Sequence, residues 1–384
     1  MKGLAMPMQA TNTFRCKRFK EALSKSSRRR HLRVRAVLGL VFFIGAGAVN
    51  AGELPADLGG RLTQAYILPA MQNFQQSASR LHASLKAWCA APSDAGKQTV
   101  QEGFKSLVMS WSGIEFLRFG PLVANHRFER AYFWPDLRGL TLRQVQALLA
   151  NSAGVPDASA LSGHSVAVQG LPALEYLLYR DAGLLANQEG NSPACAYAIS
   201  IAGNLQAIGA QLAQAWGDSG DYAVKFSQPS PSNSLYRSTN EVANEAIKAI
   251  STGLQFGRDV KLLPVLGADA SRANYKRAPF WRSGLSSQSM AAAVDGILRF
   301  YRAGAYTYSV DEAWVDSSLQ DELQRARDNF NGINGNVAQL ANSPEMYRQL
   351  KLGALLLKNA KSMVDEDAAP ALGVRIGFNA LDGD

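Results

Sequence analysis

Val166-Ala-Val-Gln-Gly-Leu-Pro-Ala-Leu-Glu-Tyr-Leu-Leu-Tyr179 reads as a punctuated entry followed by a helix. Leu171, Leu174, Leu177 and Leu178 recur at three- and four-residue steps, the spacing of one buried helical face. Gly170 and Pro172 mark the entry, because proline is best tolerated in a first helical turn, where its missing N–H costs nothing. With Pro172 as the expected first helical residue, Glu175 falls in or just after that turn. The positive end of the helix favours a carboxylate there by about 0.3–1 kcal/mol. A helix-start role and a binding role both account for a glutamate so placed.

Outward from this stretch the chain repeats the same texture. Leu62, Ile67, Met71, Phe74, Ala78, Leu81, Leu85 and Trp88 trace one helical face, and Val100, Phe104, Leu107, Val108, Trp111 and Ile114 trace another. The second stops at Gly120-Pro121. Asn125 to Gly139 is irregular and aromatic, and Ser192-Pro193 opens a further helix running to Trp216. Residues 218–234 dissolve into Gly, Asp, Ser and Pro and read as a linker. Helical periodicity resumes at Leu235, sags at Gly253–Gly257, and returns over Met290–Arg302, Leu319–Leu340 and Met346–Val364. No sustained alternating pattern appears, so the expected class is all-α. Of 384 residues, 333 follow position 51, more than one comfortable core, which predicts two helical domains at 52–217 and 235–384.

The formal charge of +9 suggests nucleic acid, but its distribution argues against that partner. Residues 1–51 hold 11 of the 40 Lys and Arg and one acid, Glu21, leaving 29 bases against 30 acids beyond them. A body of net charge −1 has no built-in attraction for phosphate backbones. The basic segment belongs to an expected export signal. Ser27-Arg-Arg-Arg-His-Leu-Arg33 supplies the charged part and Ala36 to Ala48 the apolar part, with Val49-Asn50-Ala51 as the cleavage site. That apolar run is shorter than the roughly 20 residues a membrane-spanning helix needs. The expectation is a periplasmic protein, not membrane-spanning after cleavage near Ala51. Cys89 and Cys195 remain as an even pair, able to form one disulfide in an oxidising compartment or to stay as separate buried thiols. A bridge closing about 100 residues is worth up to about 4.7 kcal/mol in the chain-entropy model.

Gly170-Leu-Pro-Ala-Leu-Glu175 resembles the Gly-x-His-x-x-Glu signature of the imelysin-like proteins, with Pro172 where that pattern has histidine. Other stretches resemble the family in order along the chain: Trp111-x-x-x-Glu115-x-x-Arg118-Phe-Gly-Pro121, Trp134-Pro-Asp-x-Arg138, Phe280-Trp-Arg-Ser-Gly284 and Gly377-Phe-Asn-x-x-Asp-Gly-Asp384. The resemblance implies two similar four-helix bundles with a site where they meet. It also implies a role in iron uptake or homeostasis, with an iron-uptake partner in the periplasm or membrane, in a family once classed as peptidases. Gly113-Ile-Glu-Phe-Leu-Arg-Phe119 and Gly296-Ile-Leu-Arg-Phe-Tyr301 hint at the duplication.

The chemistry narrows further. A zinc protease helix carries His-Glu-x-x-His, and this chain has no His-Glu pair. A proline ring cannot ligate a metal, so hydrolysis by a His-x-x-Glu zinc site is disfavoured. Glu115 and Glu175 each lie in a strongly apolar helix, at Ile114-Glu-Phe-Leu and Ala173-Leu-Glu-Tyr-Leu-Leu. Carboxylates so placed are exposed, paired or bound to something. Facing carboxylates in a helical bundle can hold a metal, so Glu115 and Glu175, with His164 replacing the missing histidine, form the candidate set for iron or another divalent metal. Arg118, one turn from Glu115, offers an ion pair instead. Arg118 and Arg282 are the expected cationic partners of a ligand, Gly170 and Pro172 its shaping residues. The expected function is a non-enzymatic protein that binds a metal or small ligand between its domains. A metallopeptidase and a purely structural or protein-interaction bundle are the alternatives.

Overall fold

Four of the long helices begin where a serine can satisfy their free amides. Ser93, Ser192, Ser238 and Ser343 accept from the backbone N–H groups of Gly96, Cys195, Glu241 and Met346 at 3.1, 3.2, 3.3 and 3.2 Å. A cap of this kind contributes about 1 kcal/mol. The computed structural model describes residues 52–377, apart from 152, 153 and 189. The leader and the last residues of the tail lie outside the described residues. Among those described there is no strand, only an isolated antiparallel bridge between Glu53 and Thr307.

Leu68–Ala90 (α1), Asp94–Ile114 (α2), Arg127–Ala131 (α3), Leu140–Leu149 (α4), Leu171–Tyr179 (α5) and Pro193–Ala215 (α6) make up the first half. Asp221–Ser227 (α7) follows, and the second half is Thr239–Gln255 (α8), Ser286–Gly304 (α9), Trp314–Asn331 (α10) and Pro344–Ser362 (α11). In the first half α1 packs on α2 and α6; in the second α9 packs on α10, α10 on α11, and α11 on α8. The fold is thus an all-α helical bundle protein, and α2 against α9 is the principal contact between long helices of the two groups. A β-carbon at Gly296 would meet the Gly113 carbonyl oxygen at 2.5 Å, so these helices cross through facing glycines. All described residues fall in one compact unit.

Two sequence expectations change here. The stretch 218–234 is not an open tether, because α7 lies within it and buries Phe226 against Phe119, Trp216 and Tyr236. The sag at Gly253–Gly257 is the approach to a π-helical segment, Phe256–Leu262, whose wider turn breaks the 3.6-residue rhythm. The disulfide is present: Cys89 at the end of α1 is bonded to Cys195 at the start of α6, with Cα atoms 5.8 Å apart. No helix among the described residues is long and apolar enough to cross a membrane.

Candidate functional site

Gly170 caps α5, and Pro172 is its second helical residue rather than its first. A side chain at 170 would strike backbone, since a β-carbon would lie 2.5 Å from the Ala131 carbonyl oxygen and 2.7 Å from that of Arg130. The missing side chain lets α5 start hard against the end of α3. A polar network fixes that junction: Arg130 donates to Gln169 Oε1 and Asn204 Oδ1, both at 2.9 Å, and Asn204 donates to the Gln169 carbonyl at 3.1 Å. Glu175, four residues past the first helical position, is thereby aimed away from solvent and is 4% exposed.

What receives it comes from the other half of the chain. The backbone N–H and hydroxyl of Ser283 donate to Glu175 Oε1 at 2.9 and 2.8 Å. The Ser283 hydroxyl is also 3.1 Å from the Phe280 carbonyl, which in turn accepts from the Leu285 N–H at 3.1 Å. Phe280 sits at φ +53, a left-handed conformation rare for a bulky residue, and needs such over-determination to persist. Burial, the largest influence, pushes the Glu175 carboxyl above its ordinary range; the Ser283 bonds and the nearby Arg282 charge oppose the rise.

Beside Glu175 opens a cavity of about 160 Å³. Its walls are largely aromatic, from Tyr132, Trp134, Tyr176 and Phe280, with Pro172 and Leu142 beside them and Arg282 and Asp136 at its edges. Tyr132 stacks on Trp134 and on Phe280, with centroids 6.4 and 5.4 Å apart. Arg282 lies over the rings of Trp281 and Tyr176, at 4.3 and 5.4 Å. Asp136 is committed locally, its two oxygens accepting from the Leu140 and Thr141 N–H groups at 2.8 Å each, which secures the start of α4.

Behind Tyr132 lies a second polar cluster. Glu115 Oε1 accepts from the Lys261 ammonium, both residues almost wholly buried, and Lys261 comes from the π-helical segment. Burial pulls the Lys261 amine below its ordinary range and Glu115 opposes this. Arg118 does not make the expected ion pair. Its guanidinium is sandwiched between Phe128 and Phe256, 4.1 and 3.7 Å from their centroids, a cation–π arrangement worth about 2 kcal/mol when desolvated. Glu115 Oε2, Arg118 Nε and Nη2 and the Tyr132 hydroxyl have no hydrogen-bond partner among the described residues. Burial, then Glu115 and Glu175, raise the Tyr132 phenol well above its ordinary range, so it stays protonated.

The structure therefore brings Pro172, Glu175 and Arg282 to one cavity and places Glu115 and Arg118 behind its wall. It does not assemble the metal set. His164 is on an exposed turn, Glu115 is engaged by Lys261, and Glu175 by Ser283. Among the described residues no three His, Cys, Asp or Glu side chains converge to hold a metal ion. The donors at this site do not fit a directly coordinated iron, and Pro172 adds none. His126, also exposed, stands by Glu129 at 4.0 Å. The sequence reading missed Lys261, Tyr132 and Thr141 as site residues, while Trp134 and Ser283 lay within stretches that resemble the family. The signals for the first two were a lysine inside Val260-Lys-Leu-Leu263 and the aromatic density of Asn125–Gly139.

A family model described as imelysin matches residues 67–364. The chain is similar to the crystal structure of an imelysin-like protein from Psychrobacter arcticum, with a TM-score of 0.70 and 20% identity over 85% of this chain and 99% of that one. It is also similar to a structure assigned as an iron-regulated protein A precursor from Parabacteroides distasonis, with a TM-score of 0.65 and 14% identity over 83% and 97%. No curated protein matches.

Proposed function

The chain belongs to the imelysin family, and from that premise we propose that it acts as an exported, periplasmic, non-enzymatic binding protein of iron homeostasis. Its ligand sits in the cavity bounded by Pro172, Glu175 and Arg282. The observation that carries this reading is the buried Glu175. It fastens the 279–285 segment of one half to a helix of the other, at the edge of an aromatic-walled cavity. A hydrolytic role finds less support, since Glu175 is spent on Ser283 and Pro172 stands where the family signature has its histidine. The link to iron rests on the iron-regulated Parabacteroides protein, and iron is cargo here, carried as a complex with an organic chelator rather than on protein side chains.

Two assays of the purified chain test the reading. Peptide hydrolysis is measured with zinc and ferrous ions present, and iron retention is measured after gel filtration with ferric citrate. The expected outcome is no turnover, with iron retained by the parent and lost from Glu175→Ala. Metal-dependent turnover abolished by Glu175→Gln would restore the peptidase alternative.

A further inference from the structure

The hydrogen-bonding groups around the cavity are unbalanced. Tyr132 and Thr141 line it, both more than nine-tenths buried, and their hydroxyls have no partner among the described residues. The Trp134 indole N–H, which can only donate, is likewise without an acceptor. Arg282, at the same cavity, has no carboxylate within salt-bridge distance among the described residues. Three of the carboxylate oxygens at the cavity are already taken, both Asp136 oxygens by backbone amides and Glu175 Oε1 by Ser283. The Tyr176 hydroxyl also has a partner, accepting from Gln146 at 3.1 Å.

The Trp134 N–H and Arg282 can only donate, and the two hydroxyls can donate beside them. A buried donor without an acceptor costs about 1–3 kcal/mol, so such a wall is complete only when something supplies acceptors. We infer that the cavity takes a carboxylate-bearing ligand with a planar group, its oxygens accepting from Arg282, Thr141, Tyr132 and Trp134, its flat part lying between the aromatic walls. This rests on the proposed binding role and specifies its ligand class. A volume of about 160 Å³ suits one small planar acid, or the acid-bearing end of a larger molecule.

Benzoate and benzamidine separate the possibilities, being nearly equal in size and shape but opposite in charge and in hydrogen-bonding sense. Calorimetric titration of the purified chain with each, and with zinc and ferrous ions, is the experiment. Benzoate is expected to bind and benzamidine not to. Arg282→Gln is expected to weaken benzoate by about tenfold or more, a charge-assisted bond being lost. Thr141→Val, which keeps the shape, is expected to weaken it by about threefold to tenfold. Benzamidine binding as tightly as benzoate, or metal-ion binding abolished by Glu175→Gln, overturns the carboxylate assignment while leaving the cavity a binding site. Benzoate affinity unchanged in both variants overturns it equally. No heat with any probe overturns the inference together with the cavity reading beneath it.

Discussion

Glu115 and Glu175 begin as near twins and end as opposites. Each is a lone carboxylate among apolar neighbours, Glu115 at the C-terminal cap of α2 and Glu175 within α5. Each is buried, and each meets a partner from the second half of the chain. Glu115 meets Lys261, a full counter-charge, deep in the contact between the halves. Glu175 is held by the neutral donors of Ser283, with the Arg282 charge near it but not paired with it, beside a cavity that Arg282 also lines. An ion pair closes one site electrostatically. The other is compensated only in part, by neutral donors and a charge at a distance, and burial still raises its affinity for a proton. Burial alone does not decide how a glutamate is held; the charge of its partner does.

Breaking the first pair should have the largest effect. Lys261→Ala strands Glu115 in the core and is expected to cost about 3–5 kcal/mol in denaturant unfolding. Joint replacement by Glu115→Leu and Lys261→Met is expected to recover most of that loss, since apolar substitutes for buried pairs are often neutral or better. A double variant as unstable as the single one would show that the pair also orders the π-helical segment. Next comes Gly170→Ala, whose new methyl must displace the Ala131 backbone. It is expected to cost about 1–3 kcal/mol and to weaken ligand binding as well, because Glu175 moves with its helix.

Glu175→Ala should cost about 1–3 kcal/mol, leaving the Ser283 donors without their acceptor, and should release the 279–285 segment to hydrogen exchange. The smallest and sharpest test is Glu175→Gln, whose amide oxygen can still accept from Ser283. With its folded pKa raised above the ordinary value of about 4.3, Glu175 binds more protons in the folded state than in the unfolded one. Its contribution is therefore full below the unfolded pKa and is lost as pH rises through the folded one. The parent should lose stability relative to Glu175→Gln across that rise, and the variant's profile should be the flatter. Parallel profiles would overturn the raised Glu175 carboxyl.

Much of this was legible beforehand, for reasons that can be stated residue by residue. The 3.6-residue spacing of Leu171, Leu174 and Leu178, and Ser192-Pro193 at a helix start, carry local information, and local information is what a sequence displays. Cys89 and Cys195 were legible as an available pair. Pro172, Glu175 and Arg282 could be brought to one site through family resemblance alone, because nothing local says that 175 and 283 touch. Lys261 stayed hidden because the π-helical segment shifts its phase and its partner lies at position 115. Arg118 misled because a neighbour one turn away suggested a salt bridge, whereas the rings that hold it come from positions 128 and 256.

The Cys89–Cys195 bond also sets how this protein would yield to force. It spans 106 positions, so if the chain were drawn out from its ends, about 350–380 Å of extended length would stay locked behind it. Both glutamates lie inside that closed loop, and both partners, Lys261 and Ser283, lie outside it. Tension would therefore fall on the contacts between loop and second half as a shear. The two carboxylate attachments would be among the contacts so loaded, while the loop itself stayed gathered until the sulfurs were reduced.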